Sequence, residues 1–262
     1  MQAEGPSPMK AEDRESRDAP SRRHEEIPLL WAGVAAMLVA RPVFAVAAQG
    51  LVAAIHGQEG AASAWQRAGA WLPVYGTLVD LGCLALLWWL TRREGSSLFA
   101  LIGFRRQRLG RDVLLGLVLI PFSLLFIFGG VAVSGLLVYG SVEGPQFGEP
   151  LPVPATLYAL IVWPLLWGLT EQMTYNGYAV TRLKVLTRGT AMTVVVVAFF
   201  WALQHAFMPL TFDPAFMLHR VLGSVPHSIF AILVFLRLAR LLPLVIAHWL
   251  MDGASVLLPL LR

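Results

Sequence analysis

Apolar residues in this chain come in long unbroken runs, separated by short polar segments rich in Arg, Pro or Gly. The runs are near 20 residues or longer, enough to cross the hydrocarbon core of a bilayer, and they predict seven helices at 27–55, 70–91, 112–138, 154–181, 190–208, 216–236 and 241–261. Between the second and third, SSLFALIGF is apolar but too short to span, which predicts a short helix lying at the membrane interface. Residues 1–26 are polar and mixed in charge, with Pro6, Pro8 and Pro20. They bury too little apolar surface to offset their ordering entropy and are expected to be a disordered tail. That tail is not read as a cleavable signal peptide, because the first apolar run begins only near Ile27 and exceeds the length of an h-region. The expected fold is all-α: a polytopic transmembrane helix bundle in one membrane-embedded domain, 27–262, without internal repeat or linker.

Composition narrows the class. Charged residues make up 14% of the chain and hydrophobic ones 57%, with a mean hydropathy of +0.66. A soluble domain carries about 25% charged residues, so a globular enzyme with a single anchor is excluded. The net charge of +4 does not point to nucleic acid, because the basic residues cluster at the ends of apolar runs without interleaved aromatics. Arg92, Arg93, Arg105, Arg106, Arg108 and Arg111 follow the second run, Arg182, Lys184 and Arg188 the fourth, and Arg237 and Arg240 the sixth. The alternate loops carry Glu59 with Arg67, then Glu143 and Glu149, then Asp213. The positive-inside rule therefore places the N-terminus in the cytoplasm and Arg262 outside, in a plasma (inner) membrane protein. The single cysteine, Cys83, excludes an internal disulfide or a cysteine-based metal site.

Against this apolar background a few polar residues stand out. Glu171 in WPLLWGLTEQMTYNGY is the most informative, since an acid at the centre of a membrane helix costs roughly 2.5–3.5 kcal/mol and marks a functional site by default. Pro164, seven residues earlier, frees the carbonyl of Leu160 and is expected to kink the helix. Gln172, Tyr175 and Asn176 add hydrogen-bonding groups nearby. His205 in FFWALQHAF, and His248 with Asp252 one helical turn apart in IAHWLMDG, are the other buried candidates. Each of these also has a plain reading as interhelical glue. Together, an acid, two imidazoles and a second acid supply what peptide hydrolysis needs: a base for water, donors for the oxyanion, and ligands for a metal. Rise per residue puts Glu171, His248 and Asp252 at similar depths of about 12–18 Å, and His205 deeper at about 21 Å. The same arithmetic brings Arg41 and Asp80 to about 21 and 18 Å and predicts a buried structural ion pair, with Glu171 as the alternative partner for Arg41. His219, His227 and Arg220 are read first as packing and loop-end residues and second as accessory ligands; Trp71, Trp88 and Trp89 are read as interfacial side chains.

The three segments carry a resemblance. EQMTYN, followed by GY at Gly177 and Tyr178, resembles the first motif of the CPBP (Abi) intramembrane proteases, the family that includes the type II CAAX prenyl endopeptidases; WALQH from Trp201 resembles the second, and HWLMD from His248 the third. The resemblance covers roughly 154–256. It implies a membrane-embedded metalloprotease in which Glu171 is the base, and in which His205 and His248 with Asp252 bind the water, the oxyanion or a zinc ion. The implied substrate is a membrane-associated peptide or protein, lipidated substrates included, with membrane lipids as the surroundings and no nucleic acid. Three positions depart from the motifs. Gln172 replaces a second Glu and Asn176 an Arg, while Trp201 replaces a Phe with less expected consequence. The first two keep open a catalytically impaired member that acts as an immunity factor or membrane-protein partner. A proton-coupled transporter with a Glu171, His205 and His248 relay is the third reading.

Overall fold

The computed structural model describes residues 11–55, 60–142 and 151–261, and among them every regular element is helical. The long elements are α1 (Ala11–Ile55), α3 (Leu72–Arg93), α5 (Leu109–Tyr139), α6 (Val153–Glu171), α8 (Thr190–Leu203), α9 (Pro214–Leu238) and α10 (Leu242–Leu260). Shorter pieces are α2 (Ala61–Ala70), α4 (Leu98–Ile102) and α7 (Thr181–Thr187). Six stretches are long and apolar enough to cross a membrane, and Leu242–Leu258 is a shorter apolar helix in the place of the seventh expected run. Of the expected tail, residues 1–10 lie outside the described residues, as do Glu59, Glu143 and Glu149; from Ala11 the backbone is helical and continuous with α1.

Local sequence accounts for some boundaries. Asp213 caps α9, its carboxylate accepting from the backbone N–H of Ala215 at 2.9 Å, and Pro214 occupies the first helical position. Ser97 caps α4 and Gly103, at φ 63°, ends it in the left-handed conformation. No residue of α4 is fully buried, and Leu98, Leu101 and Ile102 pack against the core. Helix α2 was not expected. Its run is short and rich in Ala, but Ala64 and Ala68 are buried, and Trp65 donates from Nε1 to the carbonyl of Leu210 at 2.7 Å. A helix that small gains its stability from such tertiary contacts, which spacing along the chain does not reveal.

The bundle packs α1 on α3, α5 on α9 and α10, and α6 on α3 and α10, with α8 against α9. Leu114, Phe122, Leu125 and Leu137 leave the outer face of α5 apolar and exposed, a surface suited to lipid. Small residues permit the closest approaches: a side chain at Gly168 would come within 3.2 Å of His248 Cβ, so α6 and α10 meet where the third motif sits. The basic helix ends pair up at one face of the bundle. Arg182 bridges Glu94 at 2.6 Å, and Arg240 bridges Asp112. Arg92 and Arg93 lie over the rings of Trp88 and Trp89 at 5.1 and 4.2 Å. By the positive-inside rule this is the face expected on the cytoplasmic side. Single-cysteine variants made in a Cys83-free background are expected to label from inside at 92–112 and 182–189 and from outside at 140–153. External labelling of 182–189 would overturn the orientation.

Candidate functional site

Glu171 is the last residue of α6 before the helix widens, from Gln172 to Val180, into a π-helical stretch whose nine residues are all buried. Pro164, where a kink is expected, lies inside α6, and the change of helix type follows Glu171. A π segment changes the angular spacing of side chains and is often found at functional sites. Here it carries Gln172, Tyr175 and Asn176 inward together.

The Glu171 carboxylate sits in a cage of donors. Oε2 accepts from Trp201 Nε1 at 2.7 Å, and Oε1 accepts from Gln204 Nε2 at 2.9 Å. The Arg41 guanidinium lies 3.5 Å from Oε1, donates from Nε to Gln204 Oε1 at 2.9 Å, and pairs through Nη1 with Asp80 at 2.8 Å. The ion pair expected between Arg41 and Asp80 is thus present and completely buried, and the alternative partner, Glu171, is engaged by the same guanidinium. Trp167 covers that guanidinium at 4.1 Å. Tyr175 stacks on Trp201 with ring centroids 4.9 Å apart and donates to Gln204 Oε1 at 3.0 Å. Gln204 is therefore fixed, with both ends of its amide used.

His248 and Asp252 approach from α10. His248 Nε2 lies 3.7 Å from Glu171 Oε2 and 3.3 Å from Asp252 Oδ2, while Oδ2 has no hydrogen-bond partner. On the other side of the ring, His248 Nδ1 is 3.2 Å from Gln172 Nε2, and Gln172 Oε1 accepts from Asn176 Nδ2 at 2.7 Å. Glu171, His248 and Asp252 therefore converge, as their depths predict.

His205 follows Gln204 in the turn that ends α8. It forms no ion pair with Glu171; its Nδ1 is 3.0 Å from the carbonyl of Trp201. Helix α8 tightens into a 3-10 turn at Gln204–Phe207, and Gln204 is the residue of this turn that bonds the carboxylate. A carbonyl only accepts, so Nδ1 of His205 is its donor and Nε2 keeps a lone pair. The zinc implied for His205, His248 and Asp252 does not fit this arrangement: among the described residues no three His, Cys, Asp or Glu side chains form a group able to hold a metal ion.

Sequence reasoning also passed over residues that touch the site. His227 is buried, with its ring centroid 5.3 Å from that of His248, whereas His219 lies apart, bonded to Ser134 at 2.8 Å; their eight-residue spacing does not make them one pair. Gln204 stands in the middle of an apolar run, and that polarity was a usable signal. Trp201 was read as a mild replacement for Phe, yet its indole N–H holds Glu171, which a phenyl ring cannot do.

The segment that builds this site, residues 153–254, matches the family model for type II CAAX prenyl endopeptidase Rce1-like proteins. The segment is Rce1-like. No curated protein and no solved structure matches the chain. The Rce1-like region contains Glu171, Trp201, Gln204, His205, His248 and Asp252, so the likeness to type II CAAX prenyl endopeptidases falls on the part of the chain that holds the site; Arg41 and Asp80 reach it from helices outside the matched region.

The role of Trp201 can be isolated. Trp201→Phe keeps an aromatic ring against Tyr175 but leaves Oε2 of Glu171 without its donor, an unsatisfied buried acceptor that costs about 1–3 kcal/mol. Denaturant titration of the purified protein should show that loss. An unchanged midpoint would mean that the indole N–H does not hold the carboxylate.

Proposed function

We propose that this chain is a membrane-embedded endopeptidase that hydrolyses a peptide bond of a membrane-associated peptide or protein, with Glu171 as the base that activates water. The observation that carries this reading is the convergence of Glu171 Oε2, His248 Nε2 and the unpartnered Asp252 Oδ2 within a buried, Rce1-like part of the bundle. The 3.7 Å gap between Oε2 and Nε2 is too long for a direct hydrogen bond and is a separation at which one water serves both groups.

In the proposed reaction Glu171 takes a proton from water as the water oxygen attacks the peptide carbonyl carbon. His248, donating from Nε2, bonds the oxyanion that forms, and the Asp252 carboxyl lies beside that nitrogen at 3.3 Å. Collapse of the tetrahedral intermediate breaks the C–N bond, and the proton held on Glu171 passes to the leaving amine. His205, with its Nε2 lone pair, is assigned to the edge of the site as an acceptor for water. The family description supports a lipidated substrate, and the charge distribution supports an inner-membrane location with the N-terminus in the cytoplasm.

Purified protein incubated with unbiased peptide libraries, prenylated and plain, should release products with one preferred cleavage position. A second reading, a catalytically impaired partner protein, is favoured by Gln172 and Asn176 in place of an acid and a cation. Folded wild type that cleaves nothing in either library would transfer the assignment to it.

A further inference from the structure

Gln172 and Asn176 are the two departures from the family motif that bear charge in its usual form, and the structure gives them a joint task. Gln172 offers its amide nitrogen to His248 Nδ1 at 3.2 Å, while its oxygen is held by Asn176 Nδ2 at 2.7 Å. An amide nitrogen only donates, so Nδ1 must accept, and a neutral imidazole then carries its proton on Nε2. The other side of the ring is compatible with that tautomer. Nε2 is 3.3 Å from Asp252 Oδ2 and 3.7 Å from Glu171 Oε2, and an N–H there has carboxyl oxygens on both sides.

We infer that Gln172, locked by Asn176, is a positioning residue that fixes His248 as an Nε2–H donor. The consequence concerns both the reaction and the implied metal. Nε2 hydrogen-bonds neither neighbouring carboxylate, so its N–H is available to a substrate oxygen. A metal at Nε2 would need the opposite tautomer, in which Nδ1–H is donated to a carboxylate or carbonyl. A glutamate at 172 would supply that acceptor; Gln172, with its oxygen held by Asn176, does not. The same substitution thus accounts for the poor fit of zinc to the site. The orienting role falls to Gln172 and not to Asp252, because Asp252 lies at the reactive nitrogen of His248.

The catalytic use of that N–H rests on the proposed hydrolysis, but the tautomer can be read without activity. Protein labelled with 15N at its six histidines, reconstituted in bilayers, reports which ring nitrogen is protonated; comparison with His248→Asn assigns the signals. Wild type should give a pyrrole-type resonance for Nε2 of His248 and a pyridine-type resonance for Nδ1. Gln172→Glu, whose carboxylate accepts, should turn the Nδ1 signal to pyrrole type. Asn176→Ala leaves Gln172 in place but frees its oxygen to turn toward the ring, and should populate both forms, so a variant remains if Gln172→Glu does not fold. A pyrrole-type Nδ1 in wild type, or an Nδ1 signal indifferent to both substitutions, would overturn the inference. The two readings fail separately: an inactive protein with an Nε2–H tautomer sinks only the hydrolysis, and an active one with Nδ1–H sinks only the positioning role.

Discussion

Glu171→Gln is expected to lower peptide hydrolysis by about 100-fold to 10,000-fold per folded molecule, the range that general-base catalysis contributes. The substitution keeps the shape of the side chain and removes its ability to take a proton from water. The cage around the carboxylate adds a structural cost. Oε1 accepts from Gln204 and lies near Arg41, and Oε2 accepts from Trp201, so whichever way the new amide turns, its nitrogen meets a donor. One hydrogen bond is lost, and folded yield should fall by an amount consistent with about 1–3 kcal/mol. Rates must therefore be normalised to folded protein, for example by gel filtration in detergent before assay. Glu171→Asp keeps a proton acceptor while shortening its reach, and should retain more activity than the Gln variant. Activity of Glu171→Gln within tenfold of wild type, per folded molecule, would remove Glu171 as the base.

The cage also shows where sequence spacing informs and where it fails. Arg41 and Asp80 could be paired in advance because α1 and α3 are regular, so rise per residue translates directly into depth. The same holds for His248 and Asp252, one turn apart on α10. Glu171 was conspicuous for a different reason: an acid among apolar residues is improbable without a task. The partners of Glu171 were harder to see. The π stretch after it and the 3-10 turn at Gln204 each shift the face on which a side chain emerges, and neither is visible as a change in hydrophobic pattern. Gln204, in that 3-10 turn, holds the carboxylate without having stood out in the sequence. Trp201 and His227 were hidden by a further ambiguity, since an aromatic or imidazole ring in an apolar run has the same pattern whether it packs or donates. The double engagement of Arg41 lay beyond depth arithmetic altogether, because depth fixes height in the membrane and not the angle around a helix.

Arg41→Ala is expected to destabilise the protein by about 3–5 kcal/mol, and Asp80→Ala by less, because the two substitutions strand different numbers of groups. Removing Arg41 leaves the carboxylates of Asp80 and Glu171 without their shared cation, takes one donor from Gln204, and empties the face of Trp167. Removing Asp80 leaves Arg41 still bonded to Gln204 and 3.5 Å from Glu171. The double variant should recover part of the loss, since it no longer buries Asp80 unpaired, but the deficit at Glu171 persists, so recovery should fall short of the Asp80→Ala level. Denaturant titration of the four proteins closes this cycle, and strictly additive losses would mean that the pair does not act as a unit. Activity separates the two halves of the network further. With Asp80 gone, the guanidinium has one carboxylate left to serve and is drawn closer to Glu171, the group proposed to take the proton. Asp80→Ala should therefore lose more hydrolysis per folded molecule than its stability change alone would produce. If it retains wild-type turnover once normalised for folding, Arg41 is confined to holding α1 against α3, and the link from the ion pair to the base is lost.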